Sequence, residues 1–109
     1  MAGQESPLES VRRSAARKLL FLPHAVRQMS RPERMITREE VRDVVEQGEA
    51  IEDYPDDARG HSCLLLGRGA LGRAIHVVCA PREDYLAVIT AYLPAPDAWE
   101  GGFRMRKRQ

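Results

Sequence analysis

"ITREEVRDVVEQGEAIEDYP", residues 36–55, contains the change of period on which the fold turns. Thr37 reads as an N-cap, Glu40 closes a capping box three residues on, and Ile36 and Val41 form a hydrophobic staple around it. Val41, Val44 and Val45 recur at helical spacing as one apolar stripe, and Gly48 terminates the helix. From Glu49 onward the spacing becomes that of strands.

Downstream, "AIEDYP", "HSCLLLG", "RAIHVVCA" and "YLAVITAYLP" are short strand-like runs separated by the turn-rich "DDARG", "RGALG" and "PRED". Four consecutive strands with tight connections predict an antiparallel meander. Upstream, "SPLESVRRSAARKLL" has a Ser6-x-x-Glu9 capping box, Pro7 at the first helical position, and apolar Leu8, Val11, Ala15 and Leu19 along one face. Its outer face carries Arg12, Arg13, Arg17 and Lys18, as a solvated leader or an arm that touches something acidic would.

The next segment, "FLPHAVRQM", starts a second helix at Pro23, which Pro32 stops. Spacing places Leu22, Val26 and Met29 on one side of it, and His24, Arg27, Gln28 and Arg31 on another. Helices first and strands second predict an α+β chain, with two or three N-terminal helices packed on a four-stranded antiparallel sheet. Residues 1–20 are then an amphipathic helix or leader, 21–100 a single domain, and 101–109 a basic C-terminal tail.

A length of 109 residues with 43% apolar composition supports one modest core. The net charge of +1 is unevenly spread. Residues 1–36 hold seven basic and three acidic side chains, residues 37–57 hold two and nine, and the last nine hold four and none. Such blocks either steer a polyanion to one face or pair with each other inside the fold.

No run approaches the roughly 18 apolar residues of a membrane span, and residues 1–22 lack the order of a signal peptide, so the expected location is the cytoplasm. Cys63 and Cys79 lack the spacing of a disulfide framework or a zinc site and are expected reduced, within strands. Neither a metal nor a cofactor is indicated.

In "RAIHVVCA", alternation sets Arg73, Ile75, Val77 and Cys79 against Ala74, His76 and Val78. In "AVITAYL" it sets Val88, Thr90 and Tyr92 against Ala87, Ile89, Ala91 and Leu93. If register brings these sets together, His76, Thr90 and Tyr92 make a polar patch on a sheet face. An isolated strand histidine is nevertheless more often packed than catalytic, and tyrosine is an ordinary β-former.

"HAVRQM", "GEAIEDYP", "GRAIHVV" and "ITAYLP" followed by Trp99 occur in an order that resembles the small prokaryotic domain-of-unknown-function family numbered forty-two fifty-eight, over about residues 21–107. The family's histidine helix usually has arginine where this chain has Gln28, so Arg27 or Arg34 would take that place, and about two extra residues precede Ile36. The family looks similar to RelE/ParE-like and BrnT-like toxins, which implies a metal-independent mRNA-cleaving protein held inactive by a small antitoxin.

RNA cleavage by 2′-hydroxyl attack needs a base, an acid and cations for the phosphorane charge. By that analogy His76 is the first candidate for acid or base, with His24 or Tyr92 as partner; Arg27, Arg34, Arg73 and Arg104 of the basic tail would hold RNA phosphate. This reading requires His24, His76 and Arg27 or Arg34 to converge on one concave surface. A non-catalytic interaction module would instead gather Tyr54, Tyr92 and Trp99 into an apolar patch without cations, and a structural or regulatory domain would leave the polar residues merely satisfied.

Overall fold

A computed structural model describes residues 5–108. Helix α1 spans Pro7–Arg17 and is followed by strand β1, Leu19–Phe21, and by helices α2, Pro23–Met29, and α3, Arg38–Gln47. Four strands follow: β2 Glu49–Tyr54, β3 Ser62–Arg68, β4 Ala74–Pro81 and β5 Leu86–Tyr92. A hairpin of β6, Trp99–Glu100, and β7, Met105–Arg106, closes the described chain. No described helix is long and apolar enough to cross a membrane.

The sheet differs from the four-stranded antiparallel meander expected of the sequence. It has five strands in the order β1-β5-β4-β3-β2, with β1 parallel to β5, and β6–β7 form a separate two-stranded sheet. The fifth strand comes from Leu19 to Phe21, whose leading leucine continues the apolar stripe of α1 in sequence. The helix stops at Arg17 because Lys18 turns extended, its carbonyl accepting from the Leu86 N–H at 2.8 Å while the Leu22 N–H donates to the Val88 carbonyl at 3.1 Å. Pairing with β5 thus outweighs local helical spacing, as tertiary contacts often do.

Both predicted capping boxes form, at Ser6/Glu9 and at Thr37/Glu40. Val41, Val44 and Val45 are buried as one stripe over Leu65, Ile75 and Val77. Helix α2 buries Ala25 and Met29 and turns Val26 outward, which corrects the expected apolar side by one position. Gly48 ends α3 with an extended backbone, and a Cβ there would lie 2.5 Å from the Val44 carbonyl oxygen and 2.6 Å from that of Leu66. Close approach of helix and sheet is what requires glycine at this position.

The segments read as leader and tail both pack on the domain. In α1, Val11 joins the core, Ser14 Oγ donates to the Arg82 carbonyl at 2.6 Å, and Arg12 donates to the Val45 and Gly48 carbonyls at 3.1 and 2.9 Å. Arg12 thereby satisfies acceptors that the end of α3 leaves open. At the other terminus, Arg104 and Arg106 pair with Glu49 and Glu52 of β2. Two of the four basic side chains of the last nine residues are therefore paired within the fold.

Glu40 joins three parts of the chain. Its carboxylate accepts from the Thr37 N–H, from the Ala70 N–H at 2.7 Å, and from Arg73 Nε and Nη2 at 3.1 and 2.8 Å. Arg73 also donates to the Arg34 and Met35 carbonyls, at 2.6 and 3.0 Å, pinning the α2–α3 connector to the start of β4. Gly69 leaves room for this carboxylate, which a Cβ at that position would strike.

Hydrogen bonds from Arg73 hold the Glu40 carboxyl at about 2, against an ordinary 4.5. Glu40→Gln is expected to lower the unfolding free energy at pH 7 by about 2–3 kcal/mol in urea titrations, below the figure for a fully buried pair because Arg73 is partly solvated. A carboxyl depressed in the fold contributes fully above its unfolded value and loses that contribution as pH falls toward the folded one. The gap between wild type and variant should therefore close between pH 4.5 and about 2.

Candidate functional site on the open face of the sheet

Alternation along β4 divides the molecule. Ile75, Val77 and Cys79 face the helices, and His76 and Val78 face the other way. His76 pairs directly with Tyr92, and Val78 with Thr90, so register brings the expected polar set onto one face. A bulge between Val78 and Cys79 then shifts the pattern, and Val88 belongs to the helix-side core rather than to the face of Thr90 and Tyr92.

His76 is 0% exposed. Its Nε2 lies 2.9 Å from the Phe103 carbonyl oxygen, which only accepts, so Nε2 carries the proton and the Tyr92 hydroxyl donates to Nδ1 at 3.2 Å. Phe103 adopts a left-handed φ of 71°, a conformation that costs an L residue about 1 kcal/mol and is offset here by the bond its carbonyl makes. The Trp99 ring meets the imidazole edge-on, with centroids 4.4 Å apart. The hairpin is thus a roof over His76.

Beside this roof stand groups with more solvent access. Arg106 donates to both Glu52 oxygens, at 2.9 and 3.1 Å, and its guanidinium lies 4.8 Å above the Trp99 ring. The Tyr54 hydroxyl donates to the same carboxylate. Burial pushes the Glu52 carboxyl up, but the hydrogen bonds from Arg106 and Tyr54 outweigh it and hold the group below the usual carboxylate range. Burial, with the Glu52 hydrogen bond, pushes the Tyr54 hydroxyl up to about 12, and burial raises that of Tyr92. At neutral pH the face presents a carboxylate, two phenols and a guanidinium.

Of the residues expected to act on RNA, His76 and Tyr92 come together and His24, Arg27, Arg34, Arg73 and Arg104 do not join them. His24 and Arg27 are exposed on α2, in the helical layer, with the sheet between that layer and the His76 ring. Arg34 donates to the Gln28 side chain at 2.5 Å, Arg73 is bound to Glu40, and Arg104 is paired bidentately with Glu49. The expected convergence of His24, His76 and a helix arginine is therefore corrected by the layering of the fold.

Glu52 and Arg106 were not among the candidates. Glu52 and Tyr54, two residues apart in one strand, already share a face in the sequence, whereas Arg106 reads as part of a tail until the hairpin is seen. Among the described residues, no group of three or more His, Cys, Asp and Glu side chains is arranged to hold a metal ion.

These features define a small α+β domain with helices on one sheet face and a polar, aromatic cluster on the other. The chain belongs to the family described as "Domain of unknown function (DUF4258)", whose model matches residues 21–93. That span runs from the end of β1 through β5 and stops short of both α1 and the roof hairpin. No curated protein and no solved structure matches the chain.

Burial holds the His76 imidazole below its ordinary 6.5. A histidine depressed in the fold leaves stability intact above the ordinary value and drains it below, because the unfolded chain then binds the proton more readily. Urea midpoints are expected to fall between pH 7 and pH 5. His76→Phe should flatten that dependence while costing about 1–3 kcal/mol at pH 7, by leaving the Phe103 carbonyl and the Tyr92 hydroxyl without their partner.

Proposed function

We propose that the protein is a small, toxin-like endoribonuclease that cleaves mRNA without a metal, acting at the open face of the sheet. The observation that carries this reading is the grouping of Glu52, Tyr54, Tyr92 and Arg106 around the buried His76. Transesterification by the RNA 2′-hydroxyl needs three services, and the face has a group for each. Glu52, ionised at neutral pH, takes the hydroxyl proton. Tyr92, protonated and half-buried, turns its hydroxyl from His76 Nδ1 to the leaving 5′ oxygen and supplies one. Arg106 moves from carboxylate to phosphate and balances the charge of the phosphorane.

In this reading His76 does not touch RNA; it is a positioning residue that holds Tyr92 through Nδ1 and the roof through Nε2. Arg27, exposed on α2, is left to contribute salt-dependent attraction to the RNA backbone. Control by a small antitoxin protein follows from the same analogy.

A second reading, a non-catalytic interaction module, is favoured by a different observation. Tyr54, Tyr92 and Trp99 do share the open face, and Glu52 and Arg106 satisfy each other there. Cation and carboxylate would then order the face for a partner protein instead of reacting.

Incubation of the purified wild type with a defined mRNA in excess EDTA separates the two. The expected result is discrete cuts ending in 2′,3′-cyclic phosphate, lowered at least about 100-fold in Glu52→Gln and Arg106→Ala and less in Tyr92→Phe. Thermal melts of each variant confirm that the fold is retained. Intact RNA with folded wild type would overturn the nuclease reading and leave the interaction module.

A further inference from the structure

On the helix side of the sheet, register aligns Asp53 with Cys63 and Cys63 with Cys79, so these side chains form one row across β2, β3 and β4. Directly opposed residues on antiparallel strands have Cα atoms about 4.5–5.5 Å apart, within the range that a disulfide spans. Both thiols are free and both are buried, Cys63 at 1% and Cys79 at 0% exposure. The neighbouring Cys79 lowers the Cys63 thiol from its ordinary value, while Cys63 and burial raise that of Cys79.

Of the two, only Cys63 borders a cleft. Cys63 forms part of the wall of a cleft of about 450 Å3, opposite Ser6, Pro7 and Ser10 in the first turns of α1. His61 and Asp53 line the same cleft, with His61 Nε2 at 2.6 Å from Asp53 Oδ1. Cys79 is absent from that lining. A thiol that borders a cleft, with a second thiol directly opposite it on the next strand, has the layout of a two-step dithiol oxidation.

We infer that Cys63 and Cys79 are a hydroperoxide-oxidised dithiol site, in which Cys63 reacts first and Cys79 resolves it to an intrachain disulfide. The Cys63 thiolate attacks one peroxide oxygen, the O–O bond breaks, and Cys63 sulfenic acid and hydroxide result. A proton from water, equivalent to the one Cys63 gave up on ionising, converts the hydroxide to water. Cys79 sulfur then attacks the sulfenic sulfur, the S–O bond breaks, and the hydroxyl leaves as water with the Cys79 proton. Two thiols and one peroxide become one disulfide and two waters. The product links β3 to β4 behind the open face and does not depend on RNA cleavage.

The test is intact-mass spectrometry of the full chain after exposure to hydrogen peroxide, with a dimedone trap and thiol counting in denaturant. The wild type is expected to lose two hydrogens, to lose both thiols and to remain monomeric on a non-reducing gel. Cys79→Ser should stop at a dimedone-reactive Cys63, and Cys63→Ser should leave Cys79 unmodified under the same exposure. Thiols that persist in folded wild type, intermolecular disulfides, or faster reaction at Cys79 than at Cys63 would each overturn the assignment.

Discussion

The hydrogen-bonded pair of Glu40 and Arg73 is the constraint on which the arrangement of layers depends. Glu40 caps the helix it begins, binds the turn between β3 and β4, and meets an arginine at the start of β4. Arg73 passes the same restraint on to the connector between α2 and α3. One carboxylate thus fixes where α3 starts and how the central hairpin lies against it. A buried charge is tolerated because every oxygen has donors, and it is orienting because the guanidinium fork accepts few geometries.

The side chains of β4 point alternately into two different environments. Toward the helices the core is aliphatic, broken by the two cysteines and by Ser14, whose hydroxyl finds a backbone carbonyl. Away from the helices the sheet carries His76, with aromatic rings and an ion pair around it. The hairpin closes that face with only two residues per strand, so its seat is made largely by side chains: Trp99 against His76, Arg106 on Glu52 and Arg104 on Glu49. The groups at this face that are open to solvent stand at the rim of the roof, and the histidine beneath it has both nitrogens engaged.

The pairing of acidic β2 with the basic C-terminal segment changes what the charge pattern means. A block of positive charge reads as a surface for polyanions, but two of those arginines are internal partners of an acidic strand. Arg27 on α2 remains exposed, on the opposite layer from the aromatic cluster. Net charge and charge blocks describe possibilities of pairing, and the fold selects among them.

Capping boxes, the valine stripe of α3 and the strand runs were legible because each depends on neighbours within a few residues. The two alternating sets of β4 were legible for the same reason, and so was the sharing of a face by Thr90 and Tyr92. The parallel β1 was hidden because three residues next to a helix carry no period of their own, and their strand state comes from β5. The bulge that separates Val88 from Thr90 was hidden because it belongs to a pair of strands rather than to one. The sequence by itself determined the local elements, the two sides of β4 and the α+β order. Only the tertiary structure decided that His76 would meet Tyr92, that His24 would lie across the sheet from it, and that the basic tail would become a roof. Register and ion pairing join residues far apart in the chain, and no local pattern encodes such distances.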